Sequence, residues 1–195
     1  LRFSKLKTSG DLSIYRKTPK ISLSIGLPLA QNNIKATESH AGMDKHLSKL
    51  AFEPRTSFQY TINSKFKWNA GAGRGFSFSD VRSLYPGFVF SGLNFSAYDG
   101  PIAVRESRFA NTGIVYKNVL RNIDANIGYN FSQSVSNVIV GQEINSNGQQ
   151  ILVAREKENR TQSNTIGAAF SKYFTEAASS WQIGFNHAVS KALSL

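Results

Sequence analysis

Strict two-residue alternation of apolar and polar side chains constrains this chain more than any other feature. In Ile21-Ser-Leu23-Ser-Ile25-Gly-Leu27-Pro-Leu29 the large apolar residues take every second position. The same rhythm runs through Ile123-Asp-Ala125-Asn-Ile127-Gly-Tyr129-Asn-Phe131, and through Trp181-Gln-Ile183-Gly-Phe185-Asn-His187-Ala-Val189. Successive side chains of a strand point to opposite faces, so each segment carries one apolar and one polar face. Two architectures accept such strands. A soluble sandwich packs the apolar face on a core, whereas a membrane barrel turns it to lipid and the polar face to a wet lumen.

The connections separate the two. Read as antiparallel strands, the segments are joined by short links at Lys17 to Pro19, Asn63 to Lys65, Lys117 to Arg121 and Thr175 to Ser180. Between them lie long links, roughly Gln31 to Leu50, Ser79 to Val104 and Gly141 to Asn164. Short and long alternate, so the tight turns gather at one end of the sheet and the long loops at the other. Outer-membrane barrels have this asymmetry, with short periplasmic turns and long extracellular loops. Seven aromatics lie close to the short turns: Tyr15, Tyr60, Phe66, Trp68, Tyr116, Phe174 and Trp181. Rings that are apolar at one end and polar at the other favour the membrane–water interface.

Composition narrows the class further. No run of eighteen apolar residues occurs, so no transmembrane helix is expected. The chain has no cysteine, which removes disulfides and thiolate metal sites. The most helix-like stretch, Asp44 to Ala51, is short and falls inside a long link. The expected fold is therefore all-β: an antiparallel transmembrane β-barrel segment of about eight strands, filling residues 1–195 as one unit. Leu1 is not an initiator Met, no signal peptide or plug domain is recognisable, and Leu195 follows directly on a strand. The chain is accordingly expected to be a piece of a longer polypeptide.

Several motifs also resemble a family in sequence order. Phe52-Glu-Pro-Arg55 followed by Ser57-Phe-Gln-Tyr-Thr-Ile-Asn63 resembles a barrel strand of TonB-dependent outer-membrane receptors, in particular those with a carboxypeptidase-regulatory-like domain ahead of the plug. Arg82-Ser-Leu-Tyr-Pro-Gly87 resembles the loop after the next strand of that group. Arg105-Glu-Ser107 through Thr112-Gly-Ile-Val-Tyr-Lys-Asn118 resembles the strand and turn beyond it, and Asn164 to Phe174 continues in the same style. The resemblance implies about eight strands of a barrel of roughly twenty-two, the size class of plugged transporters. It implies import of a scarce nutrient (an iron chelate, a vitamin or a glycan) in the bacterial outer membrane. The implied partners are outer-membrane lipid and lipopolysaccharide, the rest of the barrel and plug, the TonB complex through that plug, and the cargo. The family's coupling box and its usual terminal aromatic have no counterpart in this chain.

A net charge of +11 speaks to partners rather than to fold. The cations are spread over turns, polar strand faces and loops: Arg16, Lys17, Lys20, Lys65, Lys67, Arg105, Arg108, Arg155, Lys157 and Arg160. A solvated lumen and anionic lipid headgroups account for them, and an anion-attracting funnel is the sharper alternative. Nucleic acid is not expected, since no compact basic stripe with stacking aromatics is present. Cargo contacts are expected on the long-loop side, at Asp80, Arg82, Tyr85, Tyr98 and Asp99, with Arg155 and Arg160 from the later loop. Asn145-Ser-Asn-Gly148 reads as a hairpin turn that would make that loop a β-ribbon.

Other motifs carry less. Gly71-Ala-Gly73-Arg-Gly75 lacks the Lys-Ser/Thr of a phosphate loop and reads as a strand whose glycines make room for an aromatic neighbour or for a bend of the sheet. His40 and His46, with Glu38 and Asp44, match no zinc spacing. His187 sits in the apolar register of the last strand. The acceptor patterns at Asn94, Asn130 and Asn159 are expected to be silent. No catalytic constellation, metal site or cofactor is expected, and the chain is not expected to be an enzyme. Two readings stand beside the receptor segment: a self-contained eight-stranded barrel with a structural or adhesion role, and a soluble β-sandwich binding module.

Overall fold

The computed structural model describes residues 2–39, 42–79, 88–91, 94–97, 101–144 and 150–192. It is all-β and antiparallel. The described residues form thirteen strands: β1 (Arg2–Gly10), β2 (Ser13–Lys17), β3 (Ile21–Gly26), β4 (Leu29–Glu38), β5 (Met43–Phe52), β6 (Arg55–Thr61), β7 (Phe66–Phe78), β8 (Phe88–Ser91), β9 (Asn94–Ala97), β10 (Val104–Asn118), β11 (Ile123–Ile144), β12 (Gln150–Phe174) and β13 (Ser179–Ala192). The main sheet has eight strands in the order β13-β12-β11-β10-β7-β6-β3-β2. A second sheet has the order β1-β4-β5, and β8 and β9 form a small hairpin.

The first two sheets are one sheet bent across three strands. Leu27 N–H donates to Leu12 O at 2.8 Å and Glu53 N–H to Pro28 O at 3.0 Å, which carries the ladder across the breaks. Pro28 and Pro54 stand at two of those breaks, and a proline cannot donate to a ladder. Counted through the bends, the chain makes eight long runs in simple up-and-down order, with β8 and β9 between two of them. The sheet is open among the described residues, with β2 at one edge and β13 at the other.

The four short turns fall within two residues of where the sequence places them, and local chemistry shapes three of them. Thr18 Oγ1 accepts from Ile21 N–H at 3.0 Å. Asn63 Oδ1 accepts from the N–H groups of Lys65 and Phe66, each at 2.9 Å, a side-chain mimic of a backbone turn. The third link is a 3₁₀ turn, Val119–Arg121, one to two residues later than the sequence suggests; Asn122 takes the left-handed conformation there at φ 50°.

The long links differ from expectation. Residues 31–38 and 43–50 are strand, not loop: β4 and β5 pair from Leu29↔Phe52 to Glu38↔Met43. The helix-like stretch Asp44 to Ala51 is thus part of β5, since a paired partner strand overrides a weak local helical pattern. Residues 141–144 and 150–164 are strand as well. The β-ribbon is therefore observed, while its Asn-Gly turn lies outside the described residues.

Few side chains are buried. Ile34, Ala36 and Ile102 form the one small core cluster among the described residues, with Phe3, Leu47 and Phe78 packed against it. This cluster lies where β1-β4-β5 meets the ends of β7 and of the 79–103 connection. The main sheet is a single layer, and Trp181, Ile183 and Phe185 are 63–67% exposed.

Candidate functional site

Directly paired residues of an antiparallel ladder share a face, so the register sorts every side chain of the main sheet. One rung runs Phe185–Ala168–Ile127–Ile114–Trp68–Tyr60–Ile21. Another runs Val189–Asn164–Phe131–Ala110–Ala72–Thr56–Ile25–Ile14. These rungs belong to one face, which is largely apolar across the sheet, with Thr56 and Asn164 as its polar members in the rungs named. The intervening rungs belong to the other: Asn186–Gly167–Gly128–Gly113–Asn69–Gln59–Ser22–Lys17 is typical. The alternation seen in three segments is thus one continuous apolar band backed by a continuous polar surface.

The edge of this band is slanted against the rungs. The last ladder pairs before the four short turns are Phe174↔Ser179, Asn118↔Ile123, Thr61↔Lys67 and Lys17↔Ser22. Ile123 stands opposite Lys172, two residues up from Phe174. Lys67 stands opposite Val115, three up from Asn118, and Ser22 opposite Gln59, two up from Thr61. The turns therefore climb seven residues over six strand-to-strand steps. At about 3.3 Å per residue and about 4.8 Å per strand, the line of turns is inclined by about 40° to the hydrogen-bond direction.

Six of the seven aromatics follow that line on the apolar face. Tyr60, Phe66, Trp68, Tyr116, Phe174 and Trp181 each lie within two residues of their own turn pair. Phe66 meets Tyr116 at 4.8 Å between ring centroids, Phe58 meets Trp68 at 5.3 Å, and Phe174 meets Trp181 at 6.0 Å. Two of their polar ends are held, Trp68 Nε1 donating to Thr112 Oγ1 at 2.8 Å and Asn118 Nδ2 to the Tyr116 hydroxyl at 3.1 Å. Tyr15 differs: it stands opposite Ser24 on the polar face, because the alternation of β2 gives Ile14 and Arg16 to the apolar side.

Among the described residues, the band from the turns up to the Val189 rung carries no carboxylate. Its cations, Lys172 and Arg16, each lie within two residues of a turn pair, and Lys172 Nζ sits 4.6 Å from the centre of the Phe174 ring. His187 lies opposite Ile166 on the apolar face, as its register predicts. At the far end of the band Arg74 and Arg108 face one another across β7 and β10, and Glu106 accepts from both, at 2.7 and 2.6 Å.

The polar face holds a shallow concavity of about 580 Å³ lined by Ser22, Ser57, Gln59, Asn69, Asn111 and Arg55, with Phe109 at its side. Gly73 makes room for Phe109: a Cβ there would lie 2.7 Å from the ring. Gly73 thus makes room for an aromatic neighbour, whereas a Cβ at Gly71 would meet Asn111 and Thr56 O and one at Gly75 would meet nothing within 4 Å. A second cleft, of about 450 Å³, lies between β5 and the long-loop ends of β10 to β12, lined by Leu47, Lys49, Phe76, Glu106 and Lys157 among others.

Of the seven expected cargo contacts, Asp80, Arg82, Tyr85, Tyr98 and Asp99 lie outside the described residues. Arg155 and Arg160 lie on β12 instead of a loop, opposite Ile139 and Val135, on either side of a bulge. Neither lines the cleft between them, and Arg160 pairs with Glu158 at 3.3 Å. His40 also lies outside the described residues, while His46 stands exposed on β5 opposite Lys35. Among the described residues no three His, Asp or Glu side chains gather to hold a metal ion.

Two structural residues carry no local signal in the sequence. Glu53 Oε1 accepts from Phe76 N–H at 2.7 Å, replacing a ladder bond where Pro54 lets β5 part from β7. Asn137, in the bulge, accepts from Val104 N–H at 2.7 Å and donates to Ile102 O at 3.3 Å, tying down the end of the 79–103 connection. Comparison with models of protein families, with curated proteins and with solved structures finds no match to this chain.

Proposed function

We propose that this chain is a stretch of the wall of a bacterial outer-membrane β-barrel, of the kind found in TonB-dependent receptors that import a scarce nutrient. The observation that carries the membrane part is the slanted edge of the band. In a closed barrel the strands tilt by 35–45° to the axis and the register staggers to match. A stagger of just over one residue per strand supplies that tilt, and it brings the turns and the six aromatics to a common level. The nine residues Trp181–Val189, whose odd positions lie in the apolar register, extend about 30 Å, which at this tilt spans a band about 23 Å tall, close to the apolar height of outer-membrane barrels.

The same face argues against a soluble sandwich. Nothing among the described residues covers it, and a water-soluble sheet needs a second layer there. A self-contained eight-stranded barrel would pair β13 with the first run, whereas these stand at opposite edges of the strand order. Open edges suit a wall that continues into further strands, because unpaired backbone is not tolerated in lipid. The receptor part rests on the ordered resemblance from Phe52-Glu-Pro-Arg55 to Phe174. In this reading β11 and β12 outrun the membrane, which needs only about ten residues per strand, and rise as a ribbon beyond it.

The test is the intact mass of the native polypeptide, recovered from outer-membrane fractions and identified by peptides of this sequence. A mass several times 21.5 kDa is expected. A mass near 21.5 kDa leaves the small closed barrel. Recovery from soluble fractions alone leaves the sandwich.

A further inference from the structure

The geometry points to the cleft between β5 and the long-loop ends of β10 to β12 as a binding site for a small organic anion with an apolar body, of the aryl carboxylate class. The inference goes beyond transport and rests on the fold alone, not on the membrane reading. Phe76, Glu106 and Val135 form one rung on the face that carries the apolar band, and Val104 follows on that face. The β1-β4-β5 sheet stands against this rung, having parted from β7 where Glu53 takes the Phe76 N–H. Leu47 and Lys49 share one face of that sheet with Ile34 and Asn32. The two layers thus meet face to face. The cluster of Ile34, Ala36 and Ile102 fills part of the space between them, and beside it the cleft of about 450 Å³ stays open. Small-molecule sites span about 300–1,000 Å³, so a ligand of one or two rings fits.

Its walls are set before a ligand arrives. Leu47 belongs to the cluster as well as to the cleft. The Arg74 guanidinium lies 4.7 Å from the centre of the Phe76 ring, and Asn137 is pinned between Val104 N–H and Ile102 O. Walls already in place spare a ligand the cost of ordering them. The charges then choose its sign. Of the three lining carboxylates, Glu106 accepts from Arg74 and Arg108 at 2.7 and 2.6 Å, and Glu158 from Arg160 at 3.3 Å. Lys49 and Lys157 reach the cleft from opposite layers, and among the described residues neither makes an ion pair. Two unmet ammonium groups above Leu47, Phe76, Val104 and Val135 suit a carboxylate on an apolar body. A neutral or cationic ligand would leave both ammonium groups unmet.

The test uses the full native polypeptide, in a non-ionic detergent if it comes from membranes and in plain buffer if it comes from soluble fractions. The probes are 2-naphthoate, its uncharged amide and 2-naphthylmethylammonium, measured by equilibrium dialysis against the same solution without protein. Naphthoate is expected to bind about tenfold more tightly than either of the others. Lys49→Gln with Lys157→Gln is expected to remove that advantage, roughly threefold for each partly exposed charge pair lost, and to leave amide binding unchanged. Glu156→Gln removes the lining carboxylate that has no cation partner among the described residues, and it is expected to tighten naphthoate. Naphthoate bound no better than the amide by the wild type, or equally by the wild type and the glutamine pair, overturns the site. Should the glutamine pair fail to fold, the three probes on the wild type decide alone. A polypeptide that occurs only in soluble fractions and still prefers naphthoate overturns the barrel and upholds the cleft.

Discussion

Gly73 and Phe109 show how tightly single residues are set in this sheet. A methyl group at residue 73 would lie 2.7 Å from the Phe109 ring, closer than van der Waals contact allows. Gly73→Ala is therefore expected to destabilise the sheet by about 1–3 kcal/mol, as overpacking does. Phe109→Ala in the same chain is expected to relieve most of that cost, which denaturant unfolding of the two single variants and the double variant would measure. Glu106 gives a second prediction at this scale. It lies past the apolar band. Partial burial works to raise its pKa, but hydrogen bonds and charge from Arg74 and Arg108 prevail and lower it. A carboxylate with a lowered folded pKa adds stability above its unfolded value, and that stability is lost as pH falls through the folded value. The advantage of the wild type over Glu106→Gln is expected to be full above about pH 5 and to shrink toward pH 3. An advantage that grows on acidification would contradict the Arg74–Glu106–Arg108 arrangement.

The strands themselves were largely legible, and the errors have physical causes. Alternation identifies β3, β11 and β13 directly, because one face is apolar at every second residue. It fails over residues 31–50, where β4 and β5 carry polar or small residues on both faces, as in Gln31-Asn-Asn33 and Ser48-Lys49. Those strands are held by cross-strand pairing, for instance Gln31 Nε2 donating to Ser48 Oγ at 2.7 Å, which no single segment reveals. The site was legible only in part for the same reason. The aromatics near the turns could be listed from the sequence, but their common line depends on seven registers read together. Arg74 and Glu106 lie 32 residues apart and meet only through the β7–β10 ladder. Glu53 likewise acts at a distance: Glu53→Ala leaves Phe76 N–H without its acceptor. The expected cost is about 1–3 kcal/mol, that of a part-buried donor left unpaired. Glu53→Gln, which keeps an acceptor in place, is expected to recover most of it.

At the scale of the whole molecule, the two faces and the tilt make separable predictions. The chain has no cysteine, so single cysteines report on their own positions. Along Gln182, Ile183, Gly184 and Phe185, reaction with a water-soluble thiol reagent in membranes is expected to alternate, with the even positions reactive and the odd ones protected. A charge placed on the apolar face should be costly in proportion to depth. Ala168→Arg, near mid-band, is expected to cost about 2–4 kcal/mol, whereas Ala169→Arg on the polar face is expected to cost far less. Equal costs at 168 and 169 would mean that the apolar face is covered by protein rather than lipid. The tilt is a stricter test, because it follows from register alone. If the turns lie at one membrane level, as the proposed function has it, their climb sets the hydrogen-bond direction at about 40° to the membrane plane, and the strands are expected to lean from the membrane normal by that same angle. Polarised infrared dichroism of the amide bands in oriented membranes measures this lean directly. A value near 40° is expected; strands close to the normal would place the six aromatics and the four turns at different depths, and the band would no longer match a bilayer.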